Sequence, residues 1–484
     1  MNYRMICRFT GRILLVEAVF MLPALVISLV ANEKKAVLGF VLSIAMIFIV
    51  SLSLILVGRN SKRIFLAREG LVCVAVSWIV MSLLGSFPFY FSGEIPEFID
   101  AFFETVSGFT TTGASILSDI ESMSDGLLYW RSFTHWLGGM GVLVFVLAIA
   151  NSSKDSDGYT MHLLRAESPG PNVGKLVPKM KKTAEILYLM YILLTLLNIV
   201  FLLIGGMPPL DAVCTAFGTA GTGGFGIKND SIAAYSPYIQ NVCTIFMILF
   251  GVNFSCYFFI ILKQFRNIFK DEELRMYVGL IVASVTLISI NIASYYDTIE
   301  ETIRHAAFQV ASIITTTGYA TTDFDLWPSF SKTILLCLML IGACAGSTAG
   351  GFKCGRALLI IKNMKRRVKK TLHPNKVQVV RMNNQAVDEN VLSTANAYLA
   401  AYVIIMVVSV LIVSLDGFSM TTNITSVVAT FNNIGPGLEA VGPVCNYGDF
   451  SILSKLVLIV DMLAGRLEIF PILILLSSHT WKYK

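Results

Sequence analysis

The chain has 484 residues, of which 55% are apolar and 14% charged, against about 45–50% and about 25% in an ordinary soluble domain. Its 37 basic and 31 acidic side chains cannot clothe the surface of two or three soluble cores, and nine cysteines are too sparse for a secreted disulfide scaffold. What remains is a multi-pass membrane protein.

Apolar stretches of about 20 residues are long enough to cross a bilayer as helices. Ten occur, at 12–31, 37–57, 70–91, 135–151, 185–206, 238–262, 276–296, 331–352, 393–415 and 451–478. The first is followed by no small-residue cleavage site, so it reads as a helix rather than a signal peptide. With both termini inside, the cytoplasmic segments hold 29 of the 37 basic residues, and the outer segments hold seven. That asymmetry fixes the orientation. The outer face also carries 18 of the 31 acidic residues, a distribution that concentrates cations.

Between the spans lies a fourfold repeat. Four outer segments contain an apolar stretch of about 12 residues, too short to span, that runs into a Gly/Thr-rich turn. They run from Asp100 to Gly113, Asp211 to Gly223, His305 to Gly318 and Thr422 to Gly435, in steps of 13, 12, 13 and 13 residues. Pro96-Glu97, Pro208-Pro209 with Asp211, and Glu300-Glu301 supply helix-start chemistry in three; Ser419 and Thr421 are weaker caps in the fourth. Each stretch is therefore expected to be a re-entrant half-helix whose glycine-rich exit returns as extended backbone. Such backbone survives at membrane depth only when protein buries it or it lines an aqueous path. Four segments around one axis form a carbonyl ring that replaces a cation's hydration shell. The expected filter residues are Thr111, Thr112, Gly113, Gly221, Thr222, Gly223, Thr316, Thr317, Gly318, Asn433, Ile434 and Gly435.

Further along, GACAGSTAGGFK at 342–353 interrupts a span with glycines and small residues. Close helix packing accounts for small residues, but four glycines also unwind a helix. Arg466 lies near the middle of the last span, where a charge costs about 2.5–3.5 kcal/mol to insert. Neither Asp461 nor Glu468 shares its helical face. A run of ten basic residues at 353–382 reads as a positive-inside signal beside anionic lipid, and also as a place for a cytosolic partner. Cys, His and Met show no metal-ligand spacing, and no paired catalytic groups appear.

The motifs SGFTTTGA at 107–114, HWLGGMGVLVFVLAI at 135–149, RAESPGPNVGKLVPKMKKTA at 165–184, GTGGF at 221–225, ITTTGY at 314–319, GSTAGGFK at 346–353, NNIGPGLEAVGP at 432–443 and LAGRLEIFP at 463–471 together resemble the Trk/Ktr/HKT superfamily of potassium transporters, most closely its TrkH/TrkG-type membrane subunits. The resemblance implies an all-α polytopic membrane protein, with four pseudo-symmetric helix–pore half-helix–helix units around a central pore plus two N-terminal helices. The parts are then 1–60 for those two helices and 61–155, 156–265, 266–365 and 366–484 for the four pore units. It implies potassium as the transported ion at the four glycines, and no prosthetic group. It assigns a gate to Gly346, Ser347, Thr348, Ala349, Gly350, Gly351 and Lys353, with Arg466 beside the path or holding the loop. One departure is Gly221-Thr222-Gly223, where a side chain is expected before the threonine. The implied setting is the bacterial cytoplasmic (inner) membrane, as a homodimer in the lipid bilayer. The implied partner is a cytosolic nucleotide-binding regulatory subunit of the TrkA type, with no role for nucleic acid.

Overall fold

The computed structural model describes residues 1–59, 67–139, 141 and 180–481. Most of the expected span at 135–151 and most of the cytoplasmic motif at 165–184 lie outside the described residues. The described chain is almost wholly helical; its one sheet is the two-stranded hairpin Arg381–Met382 with Gln385–Ala386.

Two N-terminal crossings come first: Tyr3–Phe20 continuing as Leu22–Val30, then Lys34–Val57. Both leave apolar side chains such as Val26, Leu29, Phe48, Ile49 and Leu52 exposed, as a helix in lipid does. They meet each other at Gly11, whose carbonyl accepts the Ser51 hydroxyl at 2.6 Å.

Four units then follow one plan of outer helix, half-helix and inner helix. The outer helices are Ala67–Gly85 (extended by Phe87–Ser92), Met180–Ile204, Glu272–Asn291 and Glu389–Val413. The half-helices are Phe98–Phe109, Pro209–Gly221, Ile299–Ile314 and Met420–Phe431, one in each expected segment. Nearly every residue beyond their first turns is buried, which places them at the centre of the bundle. Their starts follow local chemistry. Thr298 and Ser419 accept the N–H groups of Glu301 and Thr422 at 3.1 Å, and Pro209 opens the second.

Three inner helices differ from the expectation of continuous spans. The first inner helix is described over Asp125–Gly139. The second is Pro237–Phe250 and Phe254–Ile261, bent by 88° at the break. The third stops at Ile341, passes through an irregular segment and resumes at Cys354–Leu372. The fourth is Ile452–Arg466 and then Phe470–Leu476. Six described helices are by themselves long and apolar enough to cross a membrane, or seven if the bent pair is one crossing. The breaks fall at Gly251 before the capping Asn253, at Gly342, and at Glu468-Ile469, whose φ values are +60° and +65°. Left-handed backbone cannot continue a right-handed helix.

Candidate pore and gate

Each half-helix ends the same way. Thr111, Thr222, Thr316 and Asn433 all adopt the left-handed conformation, with φ of 56°, 56°, 57° and 56°. The next N–H turns back to a carbonyl five residues earlier: Thr112 to Ser107, Gly223 to Gly218, Thr317 to Ser312 and Ile434 to Ala429, at 2.8–2.9 Å. This is a Schellman-type stop built on a non-glycine residue.

That register corrects one expectation. The residue following the turned-back N–H is Gly113, Gly224, Gly318 and Gly435, with φ of 78°, 73°, 86° and 93°. Gly224, not Gly223, is thus the second unit's counterpart of the other three, and every apolar stretch then runs 13 residues to its glycine. Gly223 stands level with Thr112, Thr317 and Ile434, and Gly221 with Thr110. Two consecutive glycines made the positions indistinguishable by spacing alone.

The four glycines form a closed ring. A Cβ at Gly113 would strike the carbonyl oxygen of Gly223, one at Gly224 that of Thr317, one at Gly318 that of Ile434, and one at Gly435 that of Thr112. Each unit's glycine therefore lies on the preceding carbonyl of the next unit, in one direction around the circle. All four glycines line a single opening with Arg131, Cys445 and Tyr447. Outside it, the Asn229 amide donates to Asp119 at 2.9 Å and holds that carboxyl below its usual range. The Ser419 hydroxyl does the same for Glu439. Both stay ionised at neutral pH.

Behind the ring, the hydroxyls of Thr112 and Thr317 are occupied. Thr112 pairs with Thr110 at 2.8 Å and Thr317 with Thr315 at 2.7 Å. The second unit has no such pair. The buried ring of His135 takes the space instead, against Gly223 and stacked on Phe225 with 4.1 Å between centroids. This is why glycine precedes Thr222: a Cβ at Gly221 would strike the His135 carbonyl. His135 and Phe225 stand inside the motifs of the resemblance, yet composition and spacing gave neither a role.

The irregular segment after Ile341 lies at the inner end of the half-helices. Gly350 N–H donates to Thr316 Oγ1 at 2.7 Å, and a Cβ at Gly350 would press on Asn432 and Asn433. Gly346 accepts from Phe254 N–H at 3.0 Å beside Asn253, and Ala345 N–H donates to Glu273 at 2.6 Å. Ser347 closes onto the Cys344 carbonyl at 2.7 Å. Gly351 has a φ of 75° and Lys353 one of 79°, and the buried Lys353 ammonium bonds the Ala349 carbonyl. Arg466 donates to Thr348 O at 2.9 Å, to Gly139 O at 2.8 Å and to Gly138 O. It thus brings its charge to the last described carbonyls of the first inner helix, where Gly138 O also accepts the Gly141 N–H at 3.1 Å, while holding the loop. Glu468 pairs with Arg356, and Asp461 accepts from Ser409 at 2.8 Å. The loop and its anchor touch all four units.

A family profile described as TrkH, cation transport protein, matches residues 37–483. The chain belongs to the TrkH family. TrkH-family proteins are cation transporters rather than enzymes. The potassium uptake protein TrkH of Salmonella typhimurium is 35% identical with both chains wholly covered. The TrkH of Escherichia coli K12 is 36% identical over 88% of each chain, and TrkG of the same strain is 30% identical over 99% of each. The crystal structure of the potassium transporter TrkH from Vibrio parahaemolyticus superposes with a TM-score of 0.89 at 31% identity, covering all of both chains. This TrkH-family chain is a multi-pass membrane protein with the four-unit architecture.

Proposed function

We propose that the protein takes up potassium across the bacterial cytoplasmic membrane, with main-chain carbonyls of the glycine ring as its filter. The closed fourfold contact of Gly113, Gly224, Gly318 and Gly435 with the carbonyls of Gly223, Thr317, Ile434 and Thr112 carries this reading. Such carbonyls substitute for water around a dehydrated cation, and the similar proteins named above are potassium transporters. Thr111, Thr222, Thr316 and Asn433 form the inner end of the filter, and Gly221 supports it from the half-helix.

The loop from Gly346 to Lys353, anchored by Arg466, is the gate. Its bond to Thr316 and its contact with Asn433 favour that role over plain helix packing. Both termini face the cytoplasm, as the basic residues require. There a nucleotide-binding subunit of the TrkA type docks and regulates a homodimer. The four pore units correspond to 61–155, 156–265, 266–365 and 366–484. The test is growth of a potassium-uptake-deficient strain at low potassium, with rubidium uptake competed by sodium. Neither rescue nor preference for potassium or rubidium over sodium would end the potassium reading.

A further inference from the structure

Inside the first unit lies an ion pair that reaches the second unit and that the pore reading leaves without a role. Arg131, on the first inner helix, donates from Nε to Glu104 on the first half-helix at 2.6 Å. Both residues are buried, at 2% and 1% exposure. Two charges held out of water are weak evidence for stability, because desolvation offsets their attraction. A further purpose is worth seeking in what else they bind.

The remaining bonds are divided between two strands. Glu104 also accepts the Ser115 hydroxyl and the Ile116 N–H, each at 3.0 Å; these residues follow Gly113 by two and three positions. Arg131 donates from Nη1 to the Gly226 carbonyl at 2.9 Å, two positions beyond Gly224. Its guanidinium carbon lies 3.6 Å from the centroid of Phe225, the ring on which His135 also stacks. One pair therefore grips the strand leaving Gly113 and the strand leaving Gly224 at matching heights. These are the strands that touch where Gly113 meets the Gly223 carbonyl. Charge-assisted bonds in dry surroundings are the stiffest polar contacts available.

We infer that Arg131 and Glu104 are positioning residues that set the preference of the pore among monovalent cations, by fixing the spacing of the first and second units. The inference rests on the carbonyl-filter reading above. A spacing role differs from a field effect. An unpaired charge at the mouth would change potassium and sodium flux alike, because the two ions carry the same charge. A change in spacing alters their ratio.

The test uses the full chain in potassium-uptake-deficient cells, reading rubidium uptake and its inhibition by sodium. Arg131→Lys keeps the charge but loses the planar fork, and Glu104→Gln keeps an acceptor for Ile116. Each is expected to lower the rubidium-over-sodium preference about fivefold, with maximal rubidium uptake per membrane-inserted protein changed by less than about twofold. Phe225→Leu, which removes the platform and leaves the ion pair, serves if either variant fails to accumulate, and is expected to shift the ratio in the same direction. A ratio within about twofold of the parent, or equal changes for both ions, would overturn the inference. Gly113→Ser in the same assay separates the two failures. If it shifts the ratio and the clamp variants do not, only the clamp role is lost. If it shifts nothing, the filter reading itself is lost.

Discussion

Thr111, Thr222, Thr316 and Asn433 carry the strain of the site, since each holds φ near 56° at a cost of about 1–2 kcal/mol for a residue with a Cβ. The following strand needs left-handed backbone again at Gly113, Gly224, Gly318 and Gly435, where a side chain would also strike the neighbouring unit's carbonyl. Gly224→Ser is therefore expected to lower the preference for rubidium over sodium about tenfold, as Gly113→Ser should. Sodium competition of rubidium uptake measures it, and an unchanged ratio would take Gly224 out of the ring. The threonine hydroxyls at Thr112 and Thr317 already pair with Thr110 and Thr315. Thr317→Val should accordingly keep that preference within about twofold while costing about 1 kcal/mol of stability. A larger loss of selectivity in the same assay would mean that side-chain oxygens, not carbonyls, hold the ion.

The irregular segment between Ile341 and Cys354 and the break after Arg466 act as one element. Deleting residues 345–350 removes the contact with Thr316 and the carbonyl that Arg466 holds. The shortened protein should pass cations faster in proteoliposomes and depend less on the proposed cytosolic subunit; unchanged dependence would leave the segment as helix packing. Arg466→Ala removes a charged donor from the carbonyls of Thr348, Gly138 and Gly139, at about 1 kcal/mol for each hydrogen bond lost. Its melting temperature should fall, and its basal flux should rise as the loop loses its anchor. A lower melting temperature with unaltered flux would make Arg466 a helix cap and nothing more.

On the scale of the whole molecule, the ring closes because every pair of adjacent units is tied outside it. Arg131, donating to the Gly226 carbonyl at 2.9 Å, joins the first to the second, and Ile232 N–H donates to Ala320 O at 3.0 Å between the second and third. Glu439 N–H bonds Asp325 at 2.9 Å between the third and fourth. Lys455 and Asp100, at 2.6 Å, close the fourth onto the first. Cys445 is exposed and shares the opening with the four glycines, which gives orientation a direct measurement. A membrane-impermeant thiol reagent that leaves a bulky cation should label it from outside intact cells and slow rubidium uptake. Cys445→Ser should be insensitive. Labelling only in inverted vesicles would reverse the proposed orientation.

The sequence alone determined the membrane class, the basic asymmetry, the four half-helices and the stretch that interrupts the third unit. Each of these is written in local composition: hydropathy, charge, helix-start residues and glycine content act over one to three turns. The second unit's register was not legible, because Gly223 and Gly224 are chemically identical and only the turned-back N–H of Gly223 tells them apart. Nor were the breaks near Gly251 and Glu468 or the roles of His135, Arg131 and Glu104. Arg131 bonds Gly226, 95 positions away, and Arg466 bonds Gly138, 328 away. The bonding partner of a buried charge is chosen by which helix end the packed bundle brings within reach, and no periodicity along the chain records that distance.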